Sequence, residues 1–227
     1  MKRLLLIAAI LLGAVAARAK SYTFSPNPAD LSDLEHQDAY IWGINEPSHL
    51  ASDLSHGMVI TKAEITIKNI WNWNNQANKL FIDLLDNPKH SSSSVRVVSD
   101  NPSDNSISDY FATTTSGPNH IWSDIDPLTQ WSDPHGGSAH NYNLVFDFNA
   151  AQIQFLTSCL TDPRTMYGNT ASFDFGLAFD PDCHFYNCGI TFEIDTSCKQ
   201  VPEGGMTAAL LGIGFLGLAA ISRRLRA

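Results

Sequence analysis

Ile60-Thr61-Lys62-Ala63-Glu64-Ile65-Thr66-Ile67-Lys68-Asn69-Ile70 is the stretch whose pattern decides the fold. Ala63, Ile65 and Ile67 alternate with Glu64, Thr66 and Lys68. A period of two with β-branched residues on the apolar side describes a strand with one face buried. Working outward, similar short apolar runs occur at Lys79–Leu85, Val95–Val98, Tyr142–Phe148, Ser172–Phe179 and Ile190–Ile194. Asn, Asp, Ser, Pro and Gly separate them. Several short strands with turn residues between them predict an all-β domain, an antiparallel β-sandwich or jelly roll. One short helix interrupts the pattern: Asn149 can cap Ala150–Leu160, where Ile153, Phe155, Leu156 and Leu160 share a side. The polar, proline-containing stretches Asp86–Asn105 and Thr113–Gly137 read as surface loops.

Both ends of the chain differ from this middle. Lys2 and Arg3 precede the apolar run Leu4–Leu12, and Ala17-Arg18-Ala19 supplies an A-x-A pattern, the order of a secretory signal peptide cleaved after Ala19. At the other end Met206–Ile221 is apolar, follows Val201-Pro202-Glu203-Gly204-Gly205 and precedes Arg223, Arg224 and Arg226. As a helix this run is about 24 Å long at roughly 1.5 Å per residue, so with snorkelling arginines it can act as a transmembrane helix. The arginines place its end in the cytoplasm and the preceding domain outside. The expected domains are therefore a signal peptide at 1–19, an ectodomain at 20–200 and a sorting and anchoring segment at 201–227.

The C-terminal segment resembles the PEP-CTERM class of bacterial sorting signals in its Val-Pro-Asp/Glu-Gly/Ser-Gly variant. Val201, Pro202, Glu203, Gly204 and Gly205 correspond to the motif, Leu210–Leu218 to the Gly- and Leu-rich helix, and Arg223 and Arg224 to the terminal cluster. Gly204 replaces the second proline of Pro-Glu-Pro. The resemblance covers about the last tenth of the chain. It implies signal peptidase and an exosortase-like processing enzyme as partners. It also implies export to the cell envelope, outer surface or an exopolysaccharide matrix such as a biofilm, with transient anchoring in the inner membrane.

Charge narrows the partners of the ectodomain. Of the chain's 14 Lys+Arg six lie in the two terminal segments, against Glu203 alone of its 23 Asp+Glu, which leaves 8 basic and 22 acidic residues in between. This balance argues against nucleic acid. The cysteines Cys159, Cys183, Cys188 and Cys198 would meet an oxidising compartment, so two disulfides are expected among three possible connectivities. Cys183 and Cys188 flank a turn and can pair across it, leaving Cys159 for Cys198. The spacing lacks the paired C-x-x-C arrangement of a zinc site.

Four groups of residues carry possible chemistry. Asp180, Asp182 and Asn187 in Phe179-Asp180-Pro181-Asp182-Cys183-His184-Phe185-Tyr186-Asn187 gather oxygen donors that suit calcium, while a proline-directed turn with self-bonded Asp side chains explains the same residues. This loop also resembles a recurring one in PEP-CTERM-type exported proteins. In Asp30–Gly43, Glu35 or Asp38 can complete a metal shell if the first and last strands pair; otherwise Tyr40 and Trp42 pack on the sheet and the acids face water. Trp71 and Trp73 follow the Ile60 strand at period two, whereas Trp122 and Trp131 lie near Asp124, Asp126 and Asp133 in a stretch read as a loop, a composition that suits glycan stacking. Asp124 and Asp126 can serve glycoside hydrolysis only at the right separation, and the chain has no G-x-S-x-G, P-loop, H-E-x-x-H or dinucleotide fingerprint. The expected function is thus a non-catalytic surface or matrix protein of structural or adhesive type. A calcium-assisted carbohydrate-binding module and a glycosidase-like enzyme are its alternatives.

Overall fold

The computed structural model describes residues 19–36, 38–45, 49–86, 88, 95–99, 124–133, 135–161 and 173–198, of which 124–130 are described by backbone alone. The apolar N-terminal run, Trp122 and the segment 201–227 lie outside them. The chain divides into two compact units, Met1–Ser197 and Cys198–Ala227, the first of which carries the sheets. Its strands are β1 (Lys20–Phe24), β2 (Asp38–Ile44), β3 (Met58–Asn72), β4 (Lys79–Asp86), β5 (Val95–Ser99), β6 (Asp124–Ser132), β7 (Tyr142–Asp147), β8 (Phe175–Pro181), β9 (Phe185–Tyr186) and β10 (Ile190–Cys198). Two helices, α1 (Leu50–Ser55) and α2 (Ala150–Thr161), join them. One sheet runs β1-β10-β3-β7, with β9 added to β3; the other runs β5-β2-β8-β4-β6. The strand pairings are antiparallel. The fold is all-β with few helices, as the alternating runs predict.

One core is shared by the two sheets. Ile65, Ile67, Phe192 and Ile194 from the first meet Tyr40, Trp42, Ile82, Leu84, Leu177 and Phe179 from the second. Phe175 of the second sheet lies 5.7 Å from Phe192 and 6.1 Å from Phe24 between ring centroids, both edge-on. Burial of each such side chain stabilises by about 1.5–3 kcal/mol, which makes the aromatic layer the main attachment of sheet to sheet.

β3 shows how the deciding stretch is realised. Its buried positions are 58, 60, 63, 65, 67, 70 and 72, so the period of two is broken after Ile60 and again after Ile67. At the second break the register with β7 shifts between Ile67 and Ile70, and Asn69 takes φ 50°. The extra residue is a β-bulge, and Asn accommodates the left-handed backbone better than a branched residue would. Its N–H donates to Asn143 Oδ1 at 3.1 Å. Beyond the bulge Ile70 and Asn72 point inward while Trp71 stays partly exposed.

Helix α2 begins where the cap predicts. Asn149 Oδ1 accepts the N–H groups of Ala151 and Gln152 at 2.9 and 3.0 Å, and Gln152 Oε1 accepts the Asn149 N–H at 2.8 Å. Reciprocal capping satisfies the donors a helix start leaves open.

Three expectations change. The stretch Thr113–Gly137, expected as a loop, contains strand β6, whose Pro127 sits where the register with β4 shifts between Ile82 and Asp83. Proline is tolerated there because β6 is an edge strand and a bulge leaves one N–H without a ladder partner. β1 and β2 are strands beyond those expected, and β2 is buried along nearly its whole length, which erases alternation. No disulfide is present among the described residues. Instead of bonding Cys188, the Cys183 thiol donates to Asn72 Oδ1 at 3.1 Å, and Cys188 is exposed past β9; Cys159 lies in helix α2 and Cys198 at the end of β10.

The path of the chain gives the sandwich two different ends. β1 pairs with β10, setting Lys20 opposite Thr196, so the chain enters and leaves side by side. Asp53 of α1 binds both residues at this entry, taking the Lys20 ammonium and the Tyr22 hydroxyl. Those two bonds hold the Asp53 carboxyl below its ordinary range. The connections after β3, β6 and β8 lie at the other end.

Candidate functional site at the far end of the sandwich

At that far end β3 stops at Asn72 and the chain turns through Trp73–Asn78 into β4. Asn72 is fully buried and organises the turn. Its Oδ1 accepts the Cys183 thiol at 3.1 Å, Asn78 Nδ2 at 3.1 Å and the Asn74 N–H at 3.4 Å; its Nδ2 donates to the Gln76 carbonyl at 2.8 Å. Its backbone N–H donates to Asp133 Oδ2 at 3.1 Å, and its carbonyl accepts the Gly137 N–H at 2.6 Å. Buried amides are stable only when so satisfied.

Asp133 shows the electrostatics of this network. Burial opposes its charged form, but N–H donors from His135, Asn72 and Gly136 outweigh burial and hold its carboxyl below the ordinary range. Gly136 makes this approach possible at φ 61°, since a Cβ there would collide with the Asn74 carbonyl oxygen. Nearby, burial and then the Asp133 charge push the Tyr142 hydroxyl up to about 12. Burial likewise pushes the Cys183 thiol up to about 11. A thiol so raised stays protonated near neutrality and serves as a donor rather than a nucleophile.

Above the network lies an aromatic ledge. Trp71 stacks on Tyr186 with ring centroids 4.2 Å apart, and His184 stacks on the same Tyr186 at 4.2 Å. The pairing of Trp71 with Tyr186 across β3 and β9 sets the first contact. Glu35, in the turn before β2, fixes the second: its Oε2 is 2.9 Å from His184 Nδ1 and its Oε1 is 2.8 Å from His36 Nδ1. The Glu35 N–H donates to the Tyr40 hydroxyl at 2.8 Å, and burial pushes that hydroxyl up to about 12. His184 Nε2 is buried and has no hydrogen-bond partner among the described residues. Trp73 closes the ledge. Its backbone N–H donates to the His184 carbonyl at 3.2 Å, and 60% of the residue is exposed.

The residues singled out for calcium are placed apart in function. Asp182 accepts the Lys79 N–H, and its own N–H donates to the Lys79 carbonyl at 3.0 Å; burial raises its carboxyl. Asn187 is a clamp: Oδ1 accepts the Gly189 N–H at 2.9 Å and Nδ2 donates to the Asp30 carbonyl at 2.9 Å. Asp180 is buried on β8, opposite Phe81 of β4. Among the described residues no three His, Cys, Asp or Glu side chains gather as a metal cluster. Glu35 orients imidazoles and Asp38 opens β2, while Tyr40 and Trp42 are core residues.

Of the two loop tryptophans, Trp122 lies outside the described residues. Trp131 is on strand β6, partly buried, and packs against Tyr142 at 5.6 Å and Phe185 at 5.5 Å, so it is a wall of the core rather than an exposed loop ring. The ledge residues had one legible signal: Trp71 and Trp73, like His184 and Tyr186, recur at period two. No protein-family model and no curated protein sequence matches this chain.

Proposed function

We propose that this chain is an exported, envelope-sorted surface or matrix protein of structural or adhesive type, without catalysis. The observation that carries this reading is the pairing of β1 with β10. β1 opens at Lys20, the residue after the A-x-A pattern, and its partner strand ends shortly before Val201. A β-sandwich whose first and last strands are neighbours is thus flanked on each side by a targeting pattern. The end bearing the aromatic ledge carries neither chain connection. The strand order also supports a jelly roll: with β5 and β9 set aside, the first strand pairs with the eighth, the second with the seventh, the third with the sixth and the fourth with the fifth. The non-catalytic part is supported at the ledge by the Cys183 thiol, which burial keeps protonated and therefore unactivated as a nucleophile.

In this reading signal peptidase cuts after Ala19, an exosortase-like enzyme acts near Val201–Gly205, and the helix before Arg223 and Arg224 is a transient inner-membrane anchor. The intact mass of the protein from its native envelope fraction tests it. Loss of residues 1–19 together with the segment beyond Val201–Gly205 is the expected result. A mass that keeps both apolar ends overturns export with C-terminal processing.

A further inference from the structure

We infer that the Trp73 ledge is a binding subsite for a neutral pyranose unit of a polysaccharide. This deepens the proposed surface and matrix role and rests on it. Trp73 combines two properties that seldom coincide: the residue is 60% exposed, yet its backbone N–H is tied to the His184 carbonyl at 3.2 Å. The C–H face of a pyranose matches the apolar face of an exposed indole, and a backbone already held in place loses little freedom on stacking.

The surroundings decide between a sugar and a protein partner. Among the described residues the exposed large apolar side chains are Val59, Trp73, Val97 and Val145. None of the other three belongs to the turn that carries Trp73, so among the described residues Trp73 is the one large apolar side chain of that turn that is exposed. A stable protein interface needs about 800 Å² from each partner, several times what one tryptophan supplies. Exposed Asn75 and Gln76 stand in the same turn and offer amides to hydroxyls. An exposed aromatic plate beside amides is the composition of a sugar subsite. Glu35 and His184 act as positioning residues, holding Tyr186 and the chain that carries the Trp73 backbone bond.

The test uses the full-length chain in detergent with cellohexaose, xylohexaose, mannohexaose and chitohexaose as neutral probes, the last separating an N-acetylated wall-type glycan from one without N-acetyl groups. Saturable binding of at least one neutral probe with Kd below about 1 mM is expected, and about tenfold weaker binding in Trp73→Ala, with Val59→Ala unchanged. In the unmutated chain the Trp73 indole N–H resonance shifts on adding the probe, a readout independent of how the variant folds. Absence of saturable binding to all four probes, or equal binding by Trp73→Ala, overturns the proposal. Fractionation of cells expressing Trp73→Ala separates the two claims. A variant that reaches the envelope but binds no sugar leaves the sorting reading intact, whereas sugar binding by a chain that stays cytoplasmic removes the sorting reading alone.

Discussion

Asn72 is the residue on which the far end depends. Its side chain meets three donors and one carbonyl with no water exposure, so its loss strands partners that cannot re-solvate. Asn72→Ala should lower unfolding stability by about 2–4 kcal/mol in urea denaturation. A loss below about 0.5 kcal/mol, the scale of an ordinary surface change, would show that the turn holds without it. Cys183, one of its donors, gives a pH signature. Its thiol titrates near 9.0 when unfolded and near 11 when folded, so above pH 9 the unfolded state sheds its proton first. Stability is therefore complete below pH 9 and falls as pH rises toward 11, by on the order of 2 kcal/mol from this group. Tyr40 and Tyr142, raised from 10.0 to about 12, extend the fall to higher pH with the same sign. Cys183→Ser keeps a donor for Asn72 but does not titrate there, so its denaturation series should be flatter than that of the parent between pH 9 and 11. Parallel curves would mean the thiol is not the source.

At the scale of elements, the bulge in β3 sets which residues face out beyond it. Asn69 holds φ 50° and contributes its backbone N–H, not its side chain, to the bond with Asn143. Asn69→Gly should therefore stay within about 0.5 kcal/mol of the parent, while Asn69→Val should cost roughly 1–2 kcal/mol because a branched side chain resists that backbone region. Equal melting temperatures for the two variants would contradict a requirement for left-handed backbone at this position. The same strand shows what a sequence makes legible. Alternation marks β3, β7 and β10, and Asn149 marks the start of α2, because one buried face and one cap leave local signs. β2 and β6 leave no such sign, for opposite reasons: β2 is buried on both sides and has no polar alternation, and β6 is a polar edge strand interrupted by Pro127. Within the site, the loop around Cys183 stands out in the sequence; in the fold Asp182 accepts the Lys79 N–H of β4 and Asn187 ties Gly189 to Asp30. Trp131 reads as a loop residue because its partners Tyr142 and Phe185 are distant in sequence. Trp73 and Glu35 come together through His184, a contact between segments some 150 residues apart that no local pattern encodes.

For the molecule as a whole, the consequential contact is the one joining its first strand to its last. β1 is an edge strand whose removal would expose the backbone edge of β10 and open the aromatic layer where Phe24 meets Phe175 and Phe192. An unpaired edge beside exposed apolar surface is a template for intermolecular pairing. Chains beginning at Lys20 and at Ser25 should therefore differ sharply, although they differ by five residues. The longer one should behave as the intact sandwich. The shorter one should melt lower, by about 4–8 °C if the loss of Phe24 burial and the β1 ladder together reach 2 kcal/mol, and should elute as oligomers in size-exclusion chromatography. If both chains are monomeric and melt alike, β1 is dispensable and the pairing that brings the two chain ends together does not hold the domain. If only the chain starting at Lys20 is monomeric, the first residue after the A-x-A pattern is also the first residue the sandwich needs.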